Sequence, residues 1–200
     1  ESEEQEAEAH EGAEGGSGER RDNDAGGSWV LLEGAYRGDV VNDEIFEELR
    51  VCPEAIREGV AAWEAYIRAA ESPEAAGEAL YAAIYDAAPN LQSMYKTPRA
   101  IMGMRYVRAF SGVFANLHDP RALKASIEAL SFAHLGREVT APRVAIFRDA
   151  VVDTIIAEVG AQCTSTGAET LRVVMNYIGG AFLYVRTNYG GRLKILSCSW

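Results

Sequence analysis

Histidine is scarce in this sequence: 200 residues contain three, His10, His118 and His134. Cysteine is as sparse, with Cys52, Cys163 and Cys198 and neither a CxxC pair nor a metal-ligand spacing among them. That excludes a cysteine-ligated zinc module and a disulfide framework, and an odd, scattered set suits a reducing compartment, so a cytoplasmic setting is expected. No apolar run approaches the roughly eighteen residues a membrane-spanning helix needs. No segment pairs a basic start with an apolar middle as a secretory leader does. Basic residues are short too: 19 Lys and Arg stand against 30 Asp and Glu, for a formal charge of -11. The basic patch that binds nucleic acid is missing, and so is the charge that would draw the chain to an anionic membrane. Nothing repeats at a fixed period, which sets aside solenoids and propellers.

The acidity is uneven. Residues 1–24 hold ten acidic side chains and two arginines, a charge of -8 with histidine neutral, so that -3 of the total -11 remains for the rest. Residues 1–28 are mainly Glu, Gly, Ser and Ala, have little to bury, and are expected to form a disordered acidic tail. The first apolar group opens at Trp29, and residues 29–51 are expected to form an N-terminal extension. Within it Asn42 or Asp43 is placed to cap a short pre-helix over about 42–50, with Ile45 and Phe46 to bury.

From residue 52 the apolar spacing is helical. Pro53 suits the start of a helix over 54–70 that carries Ile56, Val60, Trp63 and Ile67. Ser72 caps the next, with Pro73 in its first turn and a stop at Ala87 to Pro89. Pro98 opens a third, in which Met102, Tyr106, Phe110, Val113 and Leu117 share one face and Met104, Val107, Ser111 and Phe114 the neighbouring one. An apolar arc that wide predicts a central position. Asp119 and Pro120 punctuate the chain before a helix over about 122–136. Another follows over Val144 to Val159, then a polar loop from Gly160 to Gly167 and a last long helix over Ala168 to Thr187, ended by Gly190 and Gly191. Gly180, in its middle, costs about 1 kcal/mol against Ala, a cost tolerated where a helix or a flat ligand approaches closely and equally for a simple packing reason. Residues 189–200 are left as a C-terminal tail, strand-like or irregular. The expected fold is all-α, with six to eight helices and no convincing strand pair.

Leu123, Ile127, Leu130 and His134 are four, three and four residues apart and share one helical face. That face is apolar until it reaches the imidazole. His10 lies in the acidic tail and His118 in a turn-like Asn-Leu-His-Asp-Pro, so only His134 is placed to look into a core from a helix. Two readings stand for it: a core histidine satisfied by hydrogen bonds, or an iron ligand, since a neutral imidazole is a good haem ligand.

Several features then fall in a particular order: Trp63 in the first long helix, Gly77 in the second, Tyr85 two turns later, Pro89, and Tyr95 six residues beyond. The stretch ALSFAHLGREVTAPRVAIF around His134 follows. In order and spacing this resembles the globin family over residues 52–188, nearest to single-domain neuroglobin-like or bacterial-type globins. The resemblance implies a globin-like fold around a haem pocket, with His134 as the proximal ligand. Its other ring nitrogen would hydrogen-bond to a backbone carbonyl, that of Leu130 one turn back. Met102, 32 residues before His134, falls where the family most often has a distal histidine or glutamine. A methionine cannot donate a hydrogen bond to a bound gas. Tyr81, four residues after Gly77, falls where the family's donor from the preceding helix stands. Tyr106 replaces the aliphatic residue over the iron, and Tyr95 the phenylalanine that stacks on the porphyrin. Arg105 would reach a haem propionate, with Arg108, Lys96 and Arg99 as alternatives. Val139, Val144 and Phe147 would wall the proximal side, and Met175 and Ile178 would cover the floor.

The implied function is reversible binding of oxygen or another diatomic gas, as in oxygen transport. Nitric-oxide dioxygenation and peroxidase-type turnover suit the same resemblance. The first needs an electron source, and the sequence has neither a reductase domain nor a Gly-rich nucleotide loop, so a reductase would be a partner. Two rivals are expected: a gas- or redox-sensing module linked by the tail and the extension to a regulatory partner, and a haem-free globin-like interaction domain whose pocket Met102, Tyr106 and Tyr95 fill.

Overall fold

Prolines and the polar residues before them set the helix starts. In the computed structural model, which describes residues 32–33, 36–92 and 97–197, α1 (Pro53–Ala69) begins where Cys52 Sγ accepts from the Ala55 N–H at 3.5 Å. Helix α2 (Pro73–Ala87) begins where Ser72 Oγ accepts from Ala75 at 3.1 Å. A four-residue turn, α3 (Pro89–Gln92), precedes α4 (Arg99–Ala115), which Pro98 opens. Helix α5 (Pro120–Ala133) is capped by Asp119 and α6 (Ala141–Val159) by Thr140. Each cap satisfies an amide that the first turn leaves without a helical partner. A 3-10 turn (Gly160–Gln162) leads into α7 (Ser165–Ser197). The result is the all-α, globin-like bundle expected, with six long helices among the described residues.

Helix α7 is the hub. Leu171, Val174, Tyr177 and Ala181 are each no more than 1 % exposed, and α1, α5 and α6 all pack against this helix. Helix α2 lies across α4 at Gly77 and Gly103, so closely that a Cβ on Gly77 would stand 2.5 Å from the Gly103 carbonyl carbon. Trp63 ties α1 to α4, stacking on Phe114 at 5.6 Å and donating its indole N–H to Ser111 at 3.1 Å.

Three expectations are corrected. The pre-helix over 42–50 does not form. Asn42 does accept the N–H groups of Glu44 and Ile45, but only as a turn. The backbone of Glu47 is taken by tertiary partners: its N–H donates to the Tyr36 hydroxyl at 2.7 Å, and its carbonyl accepts from the Tyr177 hydroxyl at 2.9 Å. The segment therefore runs extended across α7, and the Asn42 carbonyl sits where a Cβ on Gly180 would be, 2.1 Å away. This close approach is a backbone segment rather than a helix or a flat ligand, so the glycine serves packing, the other reason open for it. A strand pair was also not expected, yet β1 (Leu32–Glu33) and β2 (Arg50–Val51) form a two-residue antiparallel ladder. Lastly, α7 begins at Ser165, inside the expected loop, because Thr164 Oγ1 caps it by accepting from the Gly167 N–H at 3.0 Å. It then continues through Gly190 and Gly191 to Ser197. Each glycine weakens a helix by about 1 kcal/mol without breaking it, and the residues that follow are good helix formers. Residues 1–31, with the acidic tail, lie outside the described residues.

Candidate functional site

His134 stands at the C-cap of α5, its backbone already leaving the helix at φ -100 and ψ 0. Leu123 and Ile127, on the same face, are buried at 0 % and 1 %, so this face of α5 is anchored two turns before the histidine. The imidazole Nδ1 lies 2.8 Å from the Leu130 carbonyl, the bond the resemblance implied. A carbonyl only accepts, so Nδ1 carries the proton and, in the neutral ring, Nε2 holds the lone pair. Among the described residues Nε2 has no hydrogen-bond partner. The ring lies flat against Phe182 of α7, with centroids 4.6 Å apart and planes 13° from parallel.

The distal candidates lie on α2 and α4. Met102 is buried, directly beside the Gly77–Gly103 crossing. Tyr106, one turn on, packs its ring against Phe110 of α4 and Phe147 of α6, with centroids 6.3 and 5.8 Å away. Tyr81 is 8 % exposed and packs on Tyr85 at 4.2 Å. Its hydroxyl makes no hydrogen bond among the described residues. The Arg99 guanidinium covers its ring at 5.7 Å and is held there by the Glu78 carbonyl at 3.2 Å and the Glu78 carboxylate at 3.8 Å. Helices α4 and α5 are consecutive and joined by only four residues, yet α4 packs on α2 and α1 while α5 packs on α7.

The remaining candidates are scattered. Arg105 is exposed and lines an outer cleft with Glu74, Ile101, Met104 and Arg108, on a different side of α4 from the buried Met102. Val139 is half-buried and its carbonyl accepts from Arg186 at 2.6 Å. Val144 packs into the notch left by Gly179. Met175 is 3 % exposed and belongs to the core of α7. Tyr95 and Lys96 lie outside the described residues. Phe182 is the residue the site reading missed. Its signal was in the sequence, since it follows Ile178 by four and Met175 by seven and so shares their helical face.

Among the described residues no three His, Cys, Asp or Glu side chains gather as a metal site. The donor at hand is one oriented imidazole, which is what a haem takes from a protein on its proximal side. In donor chemistry, then, the residues present fit that group. Cys52 and Cys163 are free thiols, and burial raises the Cys163 pKa. No helix among the described residues is long and apolar enough to cross a membrane. No protein-family model matches the chain, and no curated protein matches it.

Proposed function

We propose that this chain binds haem through His134 and, with it, oxygen or another diatomic gas reversibly. One observation carries the reading: Nδ1 of His134 is committed to the Leu130 carbonyl while Nε2 has no partner among the described residues. That is the tautomer a ligating histidine needs. His134 would hold the haem, and the chemistry the group would supply is an iron able to bind a diatomic gas reversibly. The chain's own residues would do the rest. His134 would hold the group through Nε2. Met102 and Tyr106 would keep water from the bound gas, and the Tyr81 hydroxyl would be its hydrogen-bond donor, worth more in a dry pocket than in water.

The test is an absorption spectrum of the purified protein, ferric and dithionite-reduced, beside His134→Ala. A Soret band that shifts with carbon monoxide and is weakened or altered in the variant is expected. No band after incubation with haemin would overturn the reading. A second reading is favoured by the Tyr106, Phe110 and Phe147 cluster, whose rings already pack on one another. It is a haem-free globin-like interaction domain, and it predicts that missing band.

A further inference from the structure

We propose that Phe182 is a positioning residue for His134: its ring sets the plane of the imidazole and so the direction in which Nε2 points. The inference rests on the haem reading for its purpose but on the contact itself for its geometry. His134 is poorly held by its own helix. Ala133 is the last residue of α5, and at His134 the backbone has turned away. The Leu130 carbonyl fixes one vertex of the ring, at 2.8 Å from Nδ1. A single hydrogen bond at one vertex still lets the plane tilt about that contact, sweeping Nε2 through an arc. The nearly parallel contact with Phe182, 13° between planes at 4.6 Å, removes that freedom. The two constraints come from different elements, one turn of α5 and the face of α7, so neither substitutes for the other.

Phe182 is itself well placed to be rigid. It lies two residues from Gly180, where the extended segment presses its Asn42 carbonyl onto α7. Leu183 and Ala181, its neighbours in sequence, are 8 % and 1 % exposed. A ligand's orientation is worth much to a metal, and loss of the group that orients it typically costs about tenfold or more in affinity.

The experiment compares the full chain with Phe182→Leu and Phe182→Tyr, first without haem and then after addition of haemin. Protons over an aromatic face resonate upfield, so in the wild-type chain without haem the His134 ring protons should lie upfield of those of His118, which is exposed. Phe182→Tyr should keep that displacement and Phe182→Leu lose it. After reconstitution, haem transfer to an acceptor apoglobin should be about tenfold faster from Phe182→Leu than from wild type. Its iron–histidine stretching band should broaden, and Phe182→Tyr should restore both. If His134 resonates like His118 in the wild type, the proposal falls, even should Phe182→Leu fail to fold. If haem binds and Phe182→Leu leaves the band and the transfer rate unchanged, the positioning role falls while the haem reading stands. If no haem binds to any of the three, the haem reading falls, and the ring-proton shifts still decide whether Phe182 orients the imidazole.

Discussion

Tyr66 shows how much one buried hydroxyl can say about pH. It is 1 % exposed and donates to the Ala76 carbonyl at 2.8 Å, tying α1 to α2. Burial, reinforced by the negative charge of Glu158, raises its pKa from 10.0 to about 12. The unfolded chain therefore releases this proton at a lower pH than the folded one. Between those values the folded state holds more protons, and stability falls as pH rises. The contribution is fully present below about pH 10 and is lost on the way to about pH 12. Tyr36 and Tyr177 are driven in the same direction by burial. In urea titrations, the advantage of wild type over Tyr66→Phe should narrow as pH rises through that range. An advantage that stays constant would contradict the assignment. Legibility at this scale was mixed. His134 and its Leu130 partner could be read four residues apart on one helix, whereas the imidazole's other neighbour, Phe182, comes from an element 48 residues on. Periodicity places a residue on a face without saying what meets that face.

At the scale of elements, the α2–α4 crossing is the most exacting contact. Gly103 faces Gly77 backbone to backbone, and a Cβ on Gly103 would lie 2.6 Å from the Gly77 carbonyl carbon. Neither partner is a flexible side chain that could give way. Gly103→Ala should therefore destabilise by about 1–3 kcal/mol, as overpacking does. Gly112 is the control, on the same helix with nothing within 4 Å of its would-be Cβ. Gly112→Ala should stabilise by up to about 1 kcal/mol through helix propensity alone. Chemical denaturation of both variants decides, and shifts of the same sign would refute the crossing. The helix starts were legible because proline and caps act within four residues of themselves. The crossing was only half legible: Gly77 stood out through the globin-like pattern, but an isolated helical glycine such as Gly103 looks the same whether it meets a backbone or open water. The segment over 42–50 was misread for a related reason. Its local signals favoured a helix, and what overrode them was a tyrosine hydroxyl 130 residues away.

At the scale of the whole molecule, the extended segment closes the fold. Tyr36, Phe46 and Leu49 bury their side chains, and Glu48 pairs with Arg121 of α5 at 4.0 Å. The Asn176 amide, 2 % exposed on α7, donates to the carbonyls of Arg37 and Gly38 at 2.8 and 2.9 Å and accepts from Arg148 of α6 at 3.1 Å. Two truncations separate this segment from the residues before it. A chain beginning at residue 32 keeps the extended segment and is the reference. One beginning at residue 52 should lose several kcal/mol, since each large buried side chain contributes about 1.5–3 kcal/mol. Equal midpoints for the two truncated chains would show that the segment adds nothing.

The same contacts set an order of events on the ribosome. Arg37 and Gly38 meet Asn176 across 139 and 138 residues, so the segment leaves the exit tunnel early and its seat leaves late. Until α7 has been synthesised, Tyr36, Phe46 and Leu49 have no α7 surface to cover, and α7 has no mate for Tyr177 until it turns back to find them. The first part of the domain to be translated is thus among the last to be placed, and a nascent chain stalled before residue 176 would carry Tyr36 and Phe46 without their Tyr177 partner, as a handle for a chaperone.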